Sequence, residues 1–173
     1  LVTEGFRGWN ITIPHKGAMF AHLDQIDPVA RQAESVNTVC NRDGRLHGYS
    51  TDGYGLERAL SEAFGIDIAG GTFIFWGTGG ATRATATHFA HHGAARLVLV
   101  NRTLEKAATL AVALREFAPK CVVSAYAPTD GLLPDAIAEA PTIIQATSVG
   151  MDRETLSIPI DFLTPGRNVI DMI

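Results

Sequence analysis

The chain has 173 residues, of which 46% are hydrophobic and 18% charged, and this balance predicts a folded globular protein with one domain or two small ones. Lysine and arginine number 14 and aspartate and glutamate 18, so the formal charge is −4 and a basic nucleic-acid-binding surface is excluded. The two cysteines, Cys40 and Cys121, form no CxxC pair, which excludes a four-cysteine zinc site and a disulfide scaffold. We expect a cytoplasmic protein without signal peptide, transmembrane segment or membrane partner.

The first part of the chain predicts short strands and helices separated by polar turns. An alternating segment at residues 9–13 indicates a strand that ends at Pro14, and helices are predicted at 14–25 and 28–34. Strands at 36–41 and 45–49 flank Arg42-Asp43-Gly44, which is typical of a hairpin turn. A helix is predicted at 52–64, with Leu56, Leu60 and Phe64 on one face.

The rest of the chain alternates strands with helices of 10 to 15 residues. Apolar runs predict buried strands at residues 72–76, 96–100, 121–125, 142–146 and 168–172. An alanine-rich helix at 81–92 is closed by Gly93, and a second helix begins after a Thr103 cap and stops near Phe117, before Pro119. This order predicts βαβ units and a parallel sheet. A glycine-rich stretch at 65–71 predicts a linker, so we divide the chain into lobes at 1–65 and 66–173.

A glycine turn follows the first buried strand of the second lobe and opens a helix. Its residues are Gly77, Thr78, Gly79, Gly80 and Ala81. Glycines at such a turn allow a tight bend and close approach of the backbone to a pyrophosphate, which the helix N-terminus attracts. The third glycine of the common dinucleotide-binding pattern would fall at Thr82, so the motif is a variant of that pattern.

The end of the next strand favours NADP over NAD. An acidic residue at this point would bind the two ribose hydroxyls of NAD. The sequence instead has Asn101, Arg102 and Thr103, with Lys106 one turn later. A guanidinium between two hydrogen-bonding residues suits a ribose 2′-phosphate. A surface arginine at a strand end is the alternative interpretation, and the missing acidic residue also disfavours a methyltransferase of similar topology.

Polar residues of the first lobe stand where strands end and helices begin. Lys16 is predicted at a helix N-terminus, where the helix dipole is unfavourable for a cation, and this placement indicates a functional role. Asn37 and Thr38 lie within an apolar strand, and Asp52 begins a helix. Each residue alone has an ordinary structural explanation, because Asp52 is a good helix cap, Asn37 could bridge backbone groups and Lys16 could lie on the surface.

Together the motifs NITIPHK, VNTV, GYSTDG, GTGGATRA, NRT and ATSVGM resemble those of the shikimate dehydrogenase family. The resemblance implies an α/β fold with a Rossmann-like NADP-binding lobe at 66–173 and a smaller, incomplete α/β substrate lobe at 1–65. It implies NADPH-dependent reduction of 3-dehydroshikimate to shikimate, a step of aromatic amino acid and chorismate biosynthesis. Lys16 and Asp52 would be the catalytic pair.

The resemblance also implies ligand contacts. Residues implied to bind the substrate are Thr12, Lys16, Asn37, Thr51 and Asp52. Residues implied to bind the cofactor are Gly77, Thr78, Gly79, Gly80, Ala81, Asn101, Arg102, Thr103, Lys106, Thr147, Ser148 and Met151. Met151 could equally be a core residue.

The sequence also departs from the family. It starts at Leu1 without methionine, ends within an apolar run, and lacks the family's serine pair and C-terminal helix, so we expect a fragment. A quinate/shikimate dehydrogenase is the near alternative, but it often prefers NAD and has an acidic residue near the end of the second strand, and Arg102 argues against it. A non-catalytic module that kept the fold is the other alternative, and the presence of Lys16 and Asp52 disfavours it. We expect a small-molecule substrate and a monomer or homodimer.

Three histidines, His88, His91 and His92, cluster on one predicted helix. His88 and His92 have the spacing of metal ligands on one helix face, but no carboxylate or cysteine lies nearby in the sequence. A solvated helix face without metal is therefore predicted. Trp9 and Trp76 are expected to pack in the core.

Overall fold

The computed structural model describes residues 1–12, 15–138, 140–149 and 158–172. Within them, a four-stranded sheet is formed by β1 (Gly8–Asn10), β2 (Gln25–Ile26), β3 (Thr38–Arg42) and β4 (Arg45–Tyr49). The strand order is β1-β3-β4-β2, with β2 parallel to β4 and the other pairs antiparallel. Val36, Val39 and Ala30 form a small core on this sheet, against which Trp9 packs.

The predicted hairpin is confirmed. Arg42 pairs with Arg45, which leaves a two-residue loop of Asp43 and Gly44. Their φ angles are 53° and 86°. Positive φ at both central positions matches the twist of the flanking strands, and aspartate and glycine are the residues that tolerate it most readily.

The helices of the first part differ partly from prediction. Residues 18–22 form only a 3₁₀-helix, Ala18–His22, and the predicted helix at 14–25 is wrong. Tertiary pairing outweighs local propensity here, because Gln25 and Ile26 join β4 as strand β2. Strand β1 also ends at Asn10, earlier than predicted; Ile13 and Pro14 lie outside the described residues. Helix α1 (Pro28–Gln32) is capped by the Asp27 side chain, which accepts hydrogen bonds from two backbone amides.

A five-stranded, fully parallel sheet confirms the predicted α/β class. Its strands are β5 (Thr72–Trp76), β6 (Arg96–Val100), β7 (Val122–Tyr126), β8 (Thr142–Gln145) and β9 (Asn168–Asp171). The order is β7-β6-β5-β8-β9. The chain moves outward from β5 in one direction and then crosses to β8 on its other side. The carboxyl ends of β5 and β8 therefore meet at the switch point where doubly wound sheets bind ligands.

Helices cover both faces of this sheet. Helix α3 (Gly80–His91) and α4 (Leu104–Phe117) pack on one face, where Phe73, Phe75 and Phe89 are completely buried. The other face holds a second cluster with Trp76 and helix α5 (Leu133–Ala138). The sequence analysis missed α5, because six residues with an internal proline carry too little periodicity to predict a helix. Thr103 occupies the N-cap position of α4 as predicted, but its side chain makes no capping hydrogen bond.

Helix α2 (Asp52–Phe64) connects the two sheets. It has the predicted bounds and ends at Gly65, whose φ of 63° is left-handed. Leu56 and Leu60 are buried in the same core as α3, whereas Phe64 is exposed, so the predicted apolar face holds only in part. Phe64 is the final residue of the helix, beyond the stretch that packs on the core. Among the described residues, no helix is long and apolar enough to cross a membrane.

Candidate active site

Lys16 and Asp52 form an ion pair in the structure. Lys16 Nζ donates to Asp52 Oδ2 at 2.7 Å, although 36 positions separate the two residues in the chain. The side chains are 25% and 24% exposed, so the pair is shielded but reachable from solvent. Asp52 is the first residue of α2, where the helix dipole favours a carboxylate. Tertiary structure thus places a cation and an anion together on a partly desolvated surface, where electrostatic interactions are stronger than in bulk water.

Asn37 is the hub of the hydrogen-bond network around this pair. Its side-chain amide donates to Asp52 Oδ1 at 2.6 Å, so both carboxylate oxygens of Asp52 have partners. Asn37 Oδ1 accepts from the Thr51 backbone N–H at 2.9 Å and from the Thr38 hydroxyl at 3.0 Å. It also accepts from the Thr51 hydroxyl at 3.2 Å. Because Asn37 is only 9% exposed, this network orients Asp52 from the protein side and leaves the lysine on the open side.

Thr12 is exposed and follows Ile11, which is bonded to Asn37 of this network. The backbone N–H of Ile11 donates to the Asn37 carbonyl at 2.7 Å, and the Thr12 carbonyl accepts from His15 N–H at 2.9 Å. The chain segment that ends at Thr12 is therefore anchored beside Asn37. The sequence analysis identified Asn37 and Thr51 as substrate contacts, but their role in orienting Asp52 is visible only once the strands are paired.

The glycine turn joins the end of β5 to the start of α3. A Cβ added at Gly79 or Gly80 would meet no atom within 4 Å, so the space above these two residues is open. The backbone amides at the N-terminus of α3 have no partners within the helix and can bind an anion there. Thr82 stands where a third glycine is common, and its buried hydroxyl donates to the Gly77 carbonyl at 2.7 Å. This bond closes the turn and explains why a threonine stands at position 82 in place of the third glycine.

Gly77 and Thr147 meet at the switch point between β5 and β8. Gly77 has a φ of +103°, and a Cβ there would lie 2.7 Å from Thr147 Cγ2. Only glycine fits this position, for both reasons. The buried Gln145 side chain fixes the loop that holds Thr147, since Gln145 Oε1 accepts from the Thr147 backbone N–H at 2.8 Å. Ser148 is exposed in the same loop, and Met151 lies outside the described residues.

The predicted phosphate-binding residues lie in the loop between β6 and α4. Asn101 links this loop to the glycine turn, because its Oδ1 accepts from the Thr78 backbone N–H at 3.3 Å and its Nδ2 donates to the Thr103 carbonyl at 2.9 Å. Arg102, Thr103 and Lys106 are exposed. The side chains predicted for a 2′-phosphate therefore lie at the carboxyl edge of the parallel sheet, next to the glycine turn.

One cleft of about 690 Å³ brings Lys16 together with predicted cofactor-binding residues. Its walls include Lys16 from the first part of the chain and Gly79, Gly80 and Lys106 from the second. Glu34 and Arg83 also line it and form an ion pair that links the loop after α1 to α3. The sequence analysis missed this pair because neither residue belongs to a recognisable motif. A volume of this size is typical of small-molecule and cofactor sites.

The predicted solvated face at the α3 histidines is wrong for His88. His88 is buried and its Nε2 lies 2.6 Å from Glu57 Oε2, which α2 supplies from 31 positions earlier. Partial burial lowers the pKa of His92, and the imidazoles of His88 and His91 lower it further against the opposing effect of Glu57. The carboxylate partner was invisible in the sequence because it belongs to another helix.

Comparisons with known proteins find shikimate dehydrogenases. The model for the shikimate dehydrogenase substrate binding domain matches residues 1–39. The curated shikimate dehydrogenase (NADP(+)) of Moorella thermoacetica is 43% identical over 98% of this chain and 57% of its own length. That of Symbiobacterium thermophilum is 41% identical over 91% of this chain and 53% of its own length. The chain thus spans little more than half the length of these relatives.

A solved structure matches nearly the whole chain. The shikimate 5-dehydrogenase of Listeria monocytogenes, in complex with shikimate and NAD, superposes with a TM-score of 0.90 and 34% identity. The match covers 99% of this chain and 61% of that one.

The parallel sheet, its glycine turn and the open helix N-terminus define a Rossmann-like α/β fold. Over 91–98% of its length the chain is similar to these shikimate dehydrogenases, and its residues 1–39 match the substrate binding domain of that family.

Proposed function

We propose that the protein carrying this chain is an NADP-dependent dehydrogenase that interconverts shikimate and 3-dehydroshikimate, within aromatic amino acid biosynthesis. The observation that carries the proposal is the Lys16–Asp52 pair at 2.7 Å, whose lysine lines the same cleft as Gly79 and Gly80. A lysine that can donate a proton, in one cleft with an open phosphate-binding turn, suits hydride transfer to a ketone. The names of relatives that are 41–43% identical, shikimate dehydrogenase (NADP(+)), support it.

Lys16 is assigned the proton transfer and Asp52 its orientation. Reduction of a ketone develops negative charge on the carbonyl oxygen, and an ammonium group can stabilise that charge and donate a proton to it. In the opposite direction the same pair accepts the proton of the substrate hydroxyl. Asp52 holds the ammonium in place, and Asn37 holds Asp52 through its side-chain amide.

Substrate recognition is assigned to the polar groups around this pair. Thr12 and Thr51 are exposed and can hydrogen-bond the hydroxyls of a cyclohexene carboxylate. Asn37 is buried and its side chain is already engaged with Asp52, Thr38 and Thr51. We therefore assign Asn37 mainly to positioning the catalytic carboxylate.

The residues of the second sheet fit NADP. Bound NADPH would supply the hydride. Its pyrophosphate would be held by the amides of Gly79, Gly80 and Ala81, above which the structure leaves open space at the two glycines, while Thr78, whose amide donates to Asn101 Oδ1, would shape the turn beside it. Arg102, Thr103 and Lys106 would hold the 2′-phosphate, with Asn101 fixing their loop to the glycine turn. Gly77, Thr147 and Ser148 would line the path toward the nicotinamide, together with Met151.

We retain the predicted division into a substrate-binding part at 1–65 and a cofactor-binding part at 66–173. One feature crosses this boundary, because α2 presents Asp52 at its start and buries Leu56 and Leu60 in the second core. The catalytic carboxylate is therefore attached rigidly to the cofactor side. A cytoplasmic location and a monomer or homodimer complete the proposal.

The test is reduction of NADP⁺ followed at the nicotinamide absorbance band, using the protein that carries this sequence at its natural length. Shikimate, quinate and no substrate are compared, each with NADP⁺ and with NAD⁺. The proposal predicts turnover with shikimate and NADP⁺ well above every other combination. Preference for quinate with NAD⁺ would replace it by a quinate/shikimate dehydrogenase. Cofactor binding without turnover of either substrate would replace it by a non-catalytic module.

A further inference from the structure

A cluster of three potential metal ligands lies where α2 packs on α3, apart from the residues assigned to substrate and cofactor. Glu57 comes from α2, His88 from α3, and His92 is the C-cap residue of α3, one helical turn after His88. One ligand atom from each of the three lies within 4.8 Å of the others. The rings of His88 and His92 are stacked with centroids 4.0 Å apart, so both imidazoles are on the same side of the helix.

The donor set has the chemistry of a zinc-class site. Two imidazole nitrogens and one carboxylate oxygen are ligands that zinc accepts in proteins, with a fourth position left for water. In a tetrahedral site with bonds of about 2.0–2.1 Å, neighbouring ligand atoms lie about 3.3 Å apart. The 2.6 Å contact between His88 and Glu57 has to widen slightly, and the widest separation has to close by up to about 1.5 Å.

Packing around the cluster holds its central ligand in place. The backbone of Gly53 lies against His88, and a Cβ at Gly53 would be 2.2 Å from the His88 Cβ. The His88 side chain is 8% exposed and that of Glu57 30%, while His92 is exposed. The cluster is therefore fixed at its buried end and open to solvent at His92, which gives an ion a route of entry.

A structural hydrogen bond explains His88 and Glu57 but not His92. The His88–Glu57 hydrogen bond needs no third group, yet the His92 imidazole is stacked on His88, and its ligand atom lies within 4.8 Å of those of His88 and Glu57. His91 shows the contrast: its ring stacks on Phe117 at 5.5 Å and meets the edge of His92 at 5.4 Å, but it supplies no ligand atom to the cluster.

We propose that Glu57, His88 and His92 bind one divalent transition-metal ion of the zinc class. The ion ties α2 to α3. Since Asp52 begins α2 and Glu57 lies about 7.5 Å further along the helix axis, the ion stabilises the attachment of the catalytic carboxylate to the cofactor-binding sheet. The proposal rests on the donor geometry alone and stands whether or not the protein reduces 3-dehydroshikimate.

The experiment is calorimetric titration of chelator-treated protein with zinc sulfate in a non-coordinating buffer. Wild type, His92→Ala and the matched control His91→Ala are compared. Both histidines are near the end of α3. Because His92 is exposed, replacing it leaves the core intact. We expect one zinc ion per chain, at least tenfold weaker binding in His92→Ala, and binding within twofold of wild type in His91→Ala. Magnesium, which prefers oxygen ligands, should not bind at this site.

Thermal unfolding is the second readout. Zinc at 100 times its Kd should raise the Tm of wild type and His91→Ala by roughly 5–10 °C, and that of His92→Ala by much less. Glu57→Gln, which keeps a hydrogen-bonding group beside His88, should also weaken zinc binding. Wild type that binds no zinc at 100 µM, or zinc binding that His92→Ala leaves unchanged, would overturn the proposal and assign the cluster to packing.

Discussion

Replacement of Asn37 by alanine should destabilise the whole fold as well as the site. The change removes a hydrogen bond to the Asp52 carboxylate, which contributes about 1.5–3 kcal/mol, and three acceptor interactions of about 0.5–1.5 kcal/mol each. Water can replace part of the latter, because Thr51 is exposed and Thr38 half-buried. We therefore expect the free energy of unfolding to fall by about 2–4 kcal/mol.

Urea denaturation followed by circular dichroism measures this loss. Asn41→Ala is the matched control, because Asn41 lies in β3, four residues after Asn37, and its side chain makes exposed hydrogen bonds to the Phe6 carbonyl and from the Gly44 N–H. The control should lose about 1 kcal/mol or less. If Asn37→Ala were no less stable than Asn41→Ala, the reasoning that Asn37 is a buried hub would be refuted.

Three further predictions concern the second sheet. Gly77→Ala puts a side chain at a φ of +103° against Thr147, so it should lower the free energy of unfolding by about 2 kcal/mol. The control Gly131→Ala, which has open space around residue 131, should change the free energy of unfolding by under about 0.5 kcal/mol. Equal losses for the two variants in denaturant titrations would contradict this. Arg102→Ala would remove the charge-assisted bonds proposed to the 2′-phosphate, worth about 1.5–3 kcal/mol. The Kd for NADPH, measured by fluorescence titration, should therefore rise roughly 10–150-fold while that for NADH changes little. A parallel rise for both would argue against 2′-phosphate recognition. Burial raises the pKa of the Cys121 thiol to about 11, so this thiol stays protonated in the folded protein at pH 8. An aromatic disulfide reagent should label the half-buried Cys40 in the native protein and Cys121 only after unfolding. Rapid labelling of two thiols in the native protein would contradict the burial of Cys121.

Much of the parallel sheet could be predicted because its signals are local. The buried strand at Thr72–Trp76 is a continuous apolar run, and the helices that follow are bounded by Gly80, Gly93 and Pro119. Residues that begin or end a helix act within a few positions, so their effect can be predicted without knowing the rest of the chain. Helix α2 was predictable to its ends for the same reason, with Asp52 at its start and Gly65 after its end.

Features that depend on distant partners could not be predicted. Residues 25 and 26 form a strand only because β4 offers an edge, and the sequence pattern there favours a helix. The Lys16–Asp52 pair was expected from the family resemblance, but the Asn37 hub between Asp52 and Thr51 required the folded strands. The carboxylate beside His88 was missed because Glu57 belongs to a different helix.

The central claim is that Lys16 transfers the proton while the second sheet binds the cofactor. It is tested most directly by measuring kcat for shikimate and the Kd for NADPH in Lys16→Ala, with the exposed Lys120→Ala as control, in the protein at its natural length. The account predicts a loss of about 10²–10⁴-fold in kcat, the usual contribution of a positioned general acid, with NADPH affinity within a few-fold of wild type and the control unaffected. A Lys16→Ala protein that keeps wild-type kcat would contradict it.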